Sequence, residues 1–368
     1  MSAPCSTMLA PPGNGTAEDY FCARDDFRRL TEQLGWEPVR LAIDDDQGAS
    51  LDLTIDGAYW AARSRCTLIV SSGLHGVEGP FGSAVQRAWL RRLLHERTMP
   101  PVNVLLLHAV NPWGWLHGRR TDAFNRDLNR NFLQPEETYT GVPDLYRQLD
   151  WFINPPTPPR RLDFAPLVAA ALVCRYGLRP LMQSIAQGQY ELPRGLFYGG
   201  SGPAPQVTHM HAILQRFVRR DHHVMHLDLH TGLGKPGKLT LIVDHPIEAS
   251  QACQLHHWFP DQTVVLAAQG PSSYQARGSW GSWCHRQQLC HDYVYLCVEA
   301  GTYSAPRVFF TMRNENRAHF WTPPDSSRRA EYRTKLRETF YPRSPTWRGR
   351  ATGQGLQILD RALQVLSG

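Results

Sequence analysis

Eight short apolar runs, each separated from the next by helical or loop-like stretches, constrain this chain more than any other feature. They lie at 39–43 (VRLAI), 51–56, 67–72 (TLIVSS), 102–109 (VNVLLLHA), 223–229 (HVMHLDL), 239–243 (LTLIV), 263–268 and 293–299. Val, Ile, Leu and Tyr dominate them, and several are nearly continuous, as expected of strands covered on both faces. Helical patterns occupy 17–34, 80–97, 165–187, 205–220, 247–258, 279–290, 326–339 and 355–367. Alternation of this kind predicts a mixed sheet with helices on both sides. There is no internal repeat. The Pro-rich stretch 134–164, with "NPPTPPRR", reads as an ordered surface insertion rather than a boundary. The expectation is therefore one domain over 1–368, with an N-terminal helical extension (1–38) and C-terminal helices (320–368) whose arginines form a solvated face.

Composition narrows the function classes. The 368 residues are 42% hydrophobic and 20% charged, in keeping with a globular protein that has a sizeable core. A net charge of +6 is small and spread along the chain. The basic residues form no amphipathic stripe and no nucleic-acid-binding module, so nucleic acid is not an expected partner. No stretch approaches the ~18 apolar residues of a membrane span, and the N-terminus lacks the charged and apolar regions of a secretory signal. The eight cysteines, at 5, 22, 66, 174, 253, 284, 290 and 297, form no CxxC pair, and some fall in apolar segments. Reduced thiols and a cytoplasmic location are expected.

Four segments carry chemistry. In "SSGLHGVEGPFG" (71–82), His75 and Glu78 follow a strand and precede a helix. H-x-x-E in a turn lets an imidazole and a carboxylate converge, and zinc accepts both, but alone the pattern arises by chance in many chains. In "HVMHLDLHTGLG" (223–234), residues 226, 228 and 230 share one strand face. His230 falls where the strand meets a Gly-rich loop, the end at which open α/β sheets bind ligands. His226 lies deeper and reads as a core or supporting histidine, while His222 and His223 are expected to be exposed. In "HGRRTDAFNRDLNRNF" (117–132), Arg119, Arg120, Arg126 and Arg130 are interleaved with Asn125, Asn129, Asn131 and Asp127, which suits a fixed loop better than a solvated run. Guanidinium groups bind carboxylates bidentately and polarise carbonyl oxygens. In "YVYLCVEAGTYS" (293–304), Glu299 ends an apolar strand and is either a hydrated loop residue or a general base at a sheet crevice.

Taken in order, H-x-x-E, D-x-N-R, a strand-end His and a late strand-end Glu resemble the zinc carboxypeptidase A-like family. "NPWGW", "RDLNRNF" and "SYQARGS" (273–279) add to the likeness, which runs through most of 67–305. Within that family the chain resembles an uncharacterised bacterial branch with "GRR…DLNRNF". The succinylglutamate desuccinylase and aspartoacylase group shares "HxxE", "DLNR" and "DLHT". The resemblance implies a three-layer α/β/α fold with a mixed, mostly parallel central sheet, of the phosphorylase/hydrolase-like kind.

It also implies one zinc ion per chain held by His75, Glu78 and His230, with Glu299 as the general base that takes a proton from the attacking water and passes it to the leaving amine. Arg120, or else Arg119, would stabilise the oxyanion. Asn129 and Arg130 would grip the substrate's terminal carboxylate, Asp127 would orient His75 from behind, and Tyr274 would close over the substrate. The implied activity is hydrolysis of an amide next to a free carboxylate, on a peptide or an N-acyl amino acid. "AGT" after Glu299 resembles the desuccinylase side, and Tyr274 the carboxypeptidase side. The competing expectation is a non-catalytic carboxylate-binding protein on the same scaffold. Oligomeric state is not legible in the sequence.

Overall fold

A computed structural model describes residues 20–43, 52–160, 163–266 and 275–368. Eight strands form one sheet: β1 (Glu37–Ala42), β2 (Thr54–Trp60), β3 (Cys66–Ser72), β4 (Asn103–His108), β5 (His223–Gly232), β6 (Leu239–Val243), β7 (Thr263–Leu266) and β8 (Asp292–Gly301), in the spatial order β1-β2-β4-β3-β5-β8-β6-β7. Pairing is parallel for β3–β4, β3–β5, β5–β8 and β6–β7 and antiparallel for β1–β2, β2–β4 and β6–β8. Each apolar run of the sequence supplies one strand, and the sheet is mixed as expected.

Strand periodicity builds the layers. Leu68 and Val70 point to one face, where they meet Phe81, Val85 and Trp89 of helix Gly79–Glu96 and Ile358 and Leu359 of helix Pro345–Ser367. Ile69 points to the other, toward Met210 and Leu214 of helix Pro205–Phe217 and Trp280 and Trp283 of helix Trp280–Gln287. β4 is buried along its whole length, so its run of Val and Leu needs no alternation. Each such side chain contributes about 1.5–3 kcal/mol of burial.

The helices depart from the sequence reading in three places. The 165–187 pattern is two helices, Ala165–Tyr176 and Leu178–Ala186, because Gly177 sits at φ +83 between them. Helix Ala305–Trp321 went unread, since its inward residues include Arg313, Glu315, Asn316 and Arg317. The last helix begins at Pro345, ten residues before the 355–367 pattern, and packs on the sheet. Within 134–164, short helices Asp144–Gln148 and Asp150–Ile153 bury Tyr146, Phe152 and Ile153 in a third apolar cluster, which also takes in Leu336 and Phe340. The arginines of 327–340 are not all solvated either, as Arg337 donates to Leu116 O at 2.9 Å. Among the described residues no helix is long and apolar enough to cross a membrane.

The three parallel strands β3, β5 and β8 end on the same side. Their register pairs Ser71 with Asp228 and His230 with Glu299. Everything that follows depends on that alignment.

Candidate metal centre

The turn after β3 is built by backbone packing. His75 is extended (φ −93, ψ 117), and Gly76–Glu78 forms a 3-10 turn leading directly into helix Gly79–Glu96. Gly76 N donates to Arg120 O at 3.2 Å and Val77 N to Arg119 O at 2.8 Å, so the two arginines hold the turn through their main chain. A Cβ on Gly76 would lie 2.2 Å from Gly114 C, which leaves no residue but glycine there. "NPWGW" supplies that neighbour. Asn111 Oδ1 accepts from Gly114 N at 2.9 Å, Asn111 N donates to Gly73 O at 2.8 Å, and the helix Pro112–His117 follows.

His75, Glu78 and His230 come together with their ligand atoms all within 4.8 Å of one another. All three are buried, at 3%, 1% and 2% exposure. His75 Nδ1 lies 3.0 Å from Glu78 Oε1, and His230 Nδ1 lies 3.0 Å from Glu78 Oε2. Although close to the carboxylate, His75 Nδ1 has no hydrogen-bond partner among the described residues. An orphaned buried nitrogen beside a carboxylate is what two ligand atoms of one missing centre look like, and a His, Glu, His set is a zinc donor set. The residues present therefore fit a zinc ion.

Each histidine is backed by an acid. His75 Nε2 lies 3.1 Å from Asp127 Oδ1, and His230 Nε2 lies 2.6 Å from Asp228 Oδ2. Such contacts fix the tautomer that leaves the opposite nitrogen free to coordinate. Asp228 is in turn held by Ser71 Oγ at 2.6 Å and Tyr295 OH at 2.7 Å. Its role was missed in the sequence, although D-x-H on one strand face was the available signal. His226 is fully buried between Ser71 Oγ (2.7 Å) and Tyr293 OH (2.9 Å), and burial lowers its pKa to about 4, so it supports the core beneath the site. His222 is buried, contrary to expectation, with Nδ1 3.1 Å from Thr67 Oγ1, whereas His223 is exposed.

Arg120 is brought to the cluster and Arg119 is not. Arg120 Nη1 lies 3.0 Å from Glu78 Oε1, Nε 3.1 Å from Asp127 Oδ2 and Nη2 2.8 Å from His75 Nε2. A single ring nitrogen cannot both accept from Arg120 and donate to Asp127, so these two contacts exclude each other. Arg119 turns away and pairs with Glu315 at 2.9 Å, with Asn125 Oδ1 at 3.1 Å.

Asn129 and Arg130 lie on the same turn, Leu128–Arg130, where the Asn129 amide donates to Asp127 Oδ1 at 3.1 Å. Asn129 Oδ1 accepts from Trp280 N at 2.9 Å. Arg130 is 1% exposed, with Nε donating to Ala186 O (2.8 Å) and Nη1 to Asn129 O (2.6 Å). It runs under Gly188 (φ +106), where a Cβ would meet Arg130 Cδ at 2.8 Å. Tyr274 lies outside the described residues.

Glu299 sits beside His230 across the strand pair, 8% exposed, with Oε1 accepting from Leu233 N at 2.7 Å and Cys297 Sγ 3.8 Å from Oε2. Burial and the neighbouring Glu78 charge push it up to about 7, against the pull of His230, the Leu233 amide and Arg120. Burial also raises Glu78 and Asp228, but the histidines hold both below the usual carboxylate range. His230 is driven well above its ordinary value by the Asp228 and Glu78 carboxylates, despite burial.

Comparison with known proteins bears on the family and the fold. The chain belongs to the DUF2817 family, described as a protein of unknown function, whose profile matches residues 17–354. No curated protein matches it. Among solved structures it is similar to bovine thrombin-activatable fibrinolysis inhibitor in complex with tick carboxypeptidase inhibitor, at 10% identity and TM-score 0.50, over 93% of this chain and 98% of that one. It is also similar to carboxypeptidase A from Helicoverpa armigera (13% identity, TM-score 0.49, 93% and 74%). A further similarity is to the succinylglutamate desuccinylase from Chromobacterium violaceum (12%, 0.39, 87% and 74%). At these identities the likeness is one of fold, carried by the bovine protein, and the fold is carboxypeptidase-like.

Proposed function

We propose that this DUF2817 member is a zinc-dependent hydrolase that cleaves an amide bond next to a free carboxylate, acting as a metallocarboxypeptidase. The carrying observation is the convergence of His75, Glu78 and His230 within 4.8 Å, with Glu299 in register beside His230 on the next strand. A zinc ion on those three residues would polarise a carbonyl and make water acidic enough to attack near pH 7.

The chain's own groups account for the rest. Glu299, buried and poised near neutrality, takes a proton and returns it to the leaving nitrogen, a shuttle one carboxylate can perform. Arg120 donates to the carbonyl oxygen as it gains charge. Asn129 and Arg130 bind the terminal carboxylate, with the Arg130 guanidinium fixed by Nε donating to Ala186 O and Nη1 to Asn129 O. Asp127 and Asp228 keep the two imidazoles in the coordinating tautomer. Tyr274 is assigned its capping role by sequence resemblance alone. The whole chain acts as one hydrolase unit, and the free thiols of Cys66, Cys174, Cys253, Cys284, Cys290 and Cys297 suit a reducing cytoplasm.

The test is release of free amino acid from a panel of peptides and N-acyl amino acids by zinc-loaded protein. Peptides should be cleaved from the C-terminus, and Glu299→Gln should keep its zinc and lose turnover. Cleavage of N-acyl amino acids alone would move the assignment to a desuccinylase-like enzyme. No release from any member, or full turnover by Glu299→Gln, would defeat the proposal.

A further inference from the structure

Phe197 is a bulky aromatic residue held at φ +55, a left-handed conformation that non-glycine residues seldom adopt. The surrounding loop enforces it. Gln189 N donates to Phe197 O at 3.1 Å, Gly199 N to Gln189 O at 2.8 Å, and Asp127 N to Tyr198 O at 2.7 Å. The last of these ties the loop to the main chain of the acid that backs His75. Strain maintained by so many bonds is a pointer to function.

That backbone aims the ring at two cations. The guanidinium carbon of Arg120 lies 5.7 Å from its centre and that of Arg130 lies 5.5 Å away. These are the groups proposed to hold the scissile carbonyl, on the acyl side of the bond, and the terminal carboxylate, so that the terminal residue lies between them. Little room is left beside the ring. A cavity of about 20 Å³ touching the ring, lined also by Arg119, Arg120, Asn125, Asp127 and Glu315, holds about one water.

We infer that Phe197 is a specificity-determining residue of this site, a wall whose ring occupies the space beside a terminal residue held between Arg120 and Arg130 and so selects small side chains there. The inference rests on the hydrolase reading. The pinned main chain makes the ring a fixed filter, and the two cation–π contacts keep it in place.

The experiment compares zinc-loaded wild type, Phe197→Ala and Phe197→Leu on substrates with one common acyl group and terminal Gly, Ala, Leu or Phe. The quantity read is the ratio of kcat/KM for Leu or Phe to that for Gly within each preparation, from which any unfolded fraction cancels. Removing the ring should raise that ratio roughly tenfold or more, mostly through KM, in line with the 10–200-fold discrimination of small volume changes in apolar pockets. Leucine, which preserves most of the burial, should raise it by about a third as much, and carries the test alone if the alanine variant does not fold. An unchanged ratio, or a uniform loss on all substrates, overturns the inference and leaves Phe197 a packing residue. A zinc-loaded wild type inactive on every substrate overturns the hydrolase reading instead, and this inference falls with it.

Discussion

Replacing Glu299 by glutamine in the metal-free protein should stabilise it at alkaline pH and leave it nearly unchanged at acid pH. The folded chain holds the Glu299 proton up to about pH 7, while the reference value is 4.5. Between those two values the folded state binds a proton that the unfolded state has lost, so stability falls as pH rises through that window and is flat above it. A shift of about 2.5 units at 1.36 kcal/mol each gives about 3 kcal/mol by pH 8. Glutamine mimics the protonated acid in shape and can still accept from Leu233 N, so it escapes the penalty. For a chain of 368 residues, at about 2.1 cal/mol/K of unfolding entropy per residue, 3 kcal/mol corresponds to roughly 4 °C in Tm. The assay is thermal unfolding of chelator-treated wild type and Glu299→Gln at pH 5 and pH 8. The Tm gap should open by about that amount at pH 8 and shrink when zinc is added, because a dication favours the carboxylate. A gap equal at both pH values would refute the argument that burial beside the Glu78 charge raises Glu299.

Asp228→Asn removes the acid behind His230 and should weaken zinc affinity about 10–100-fold, read by competition with a chromophoric chelator, with the melting curve little changed once zinc is saturating. Gly76→Ala forces a methyl into the Gly114 main chain, and should cost about 1–3 kcal/mol in denaturant unfolding along with lower zinc affinity, since the same turn carries both His75 and Glu78.

The sheet was legible because its strands are apolar nearly throughout, and a strand such as β4, buried on both faces, can hardly be written otherwise. The ligands were legible for a related reason. His75, His230 and Glu299 each stand where an apolar run gives way to glycine, and parallel strands bring such ends together. What stayed hidden depends on partners far away in sequence. Nothing local separates Arg119 from Arg120. The difference is Glu315, 196 residues later, which takes one guanidinium out of the site. Glu315 lies on helix Ala305–Trp321, itself hidden because its buried face carries Arg313, Glu315 and Arg317 in place of an apolar stripe. Phe197 was equally unreadable, since its importance comes from a backbone angle and from two cations that contact order alone brings beside it.

The most direct test is the metal content of protein purified from zinc-replete medium, measured for wild type and for a His75→Ala, His230→Ala double variant. Close to one zinc per chain in the wild type, and close to none in the variant, is the expected result. Wild-type protein that binds no zinc, or a variant that binds as much, would contradict the assignment of His75, Glu78 and His230 as a metal centre.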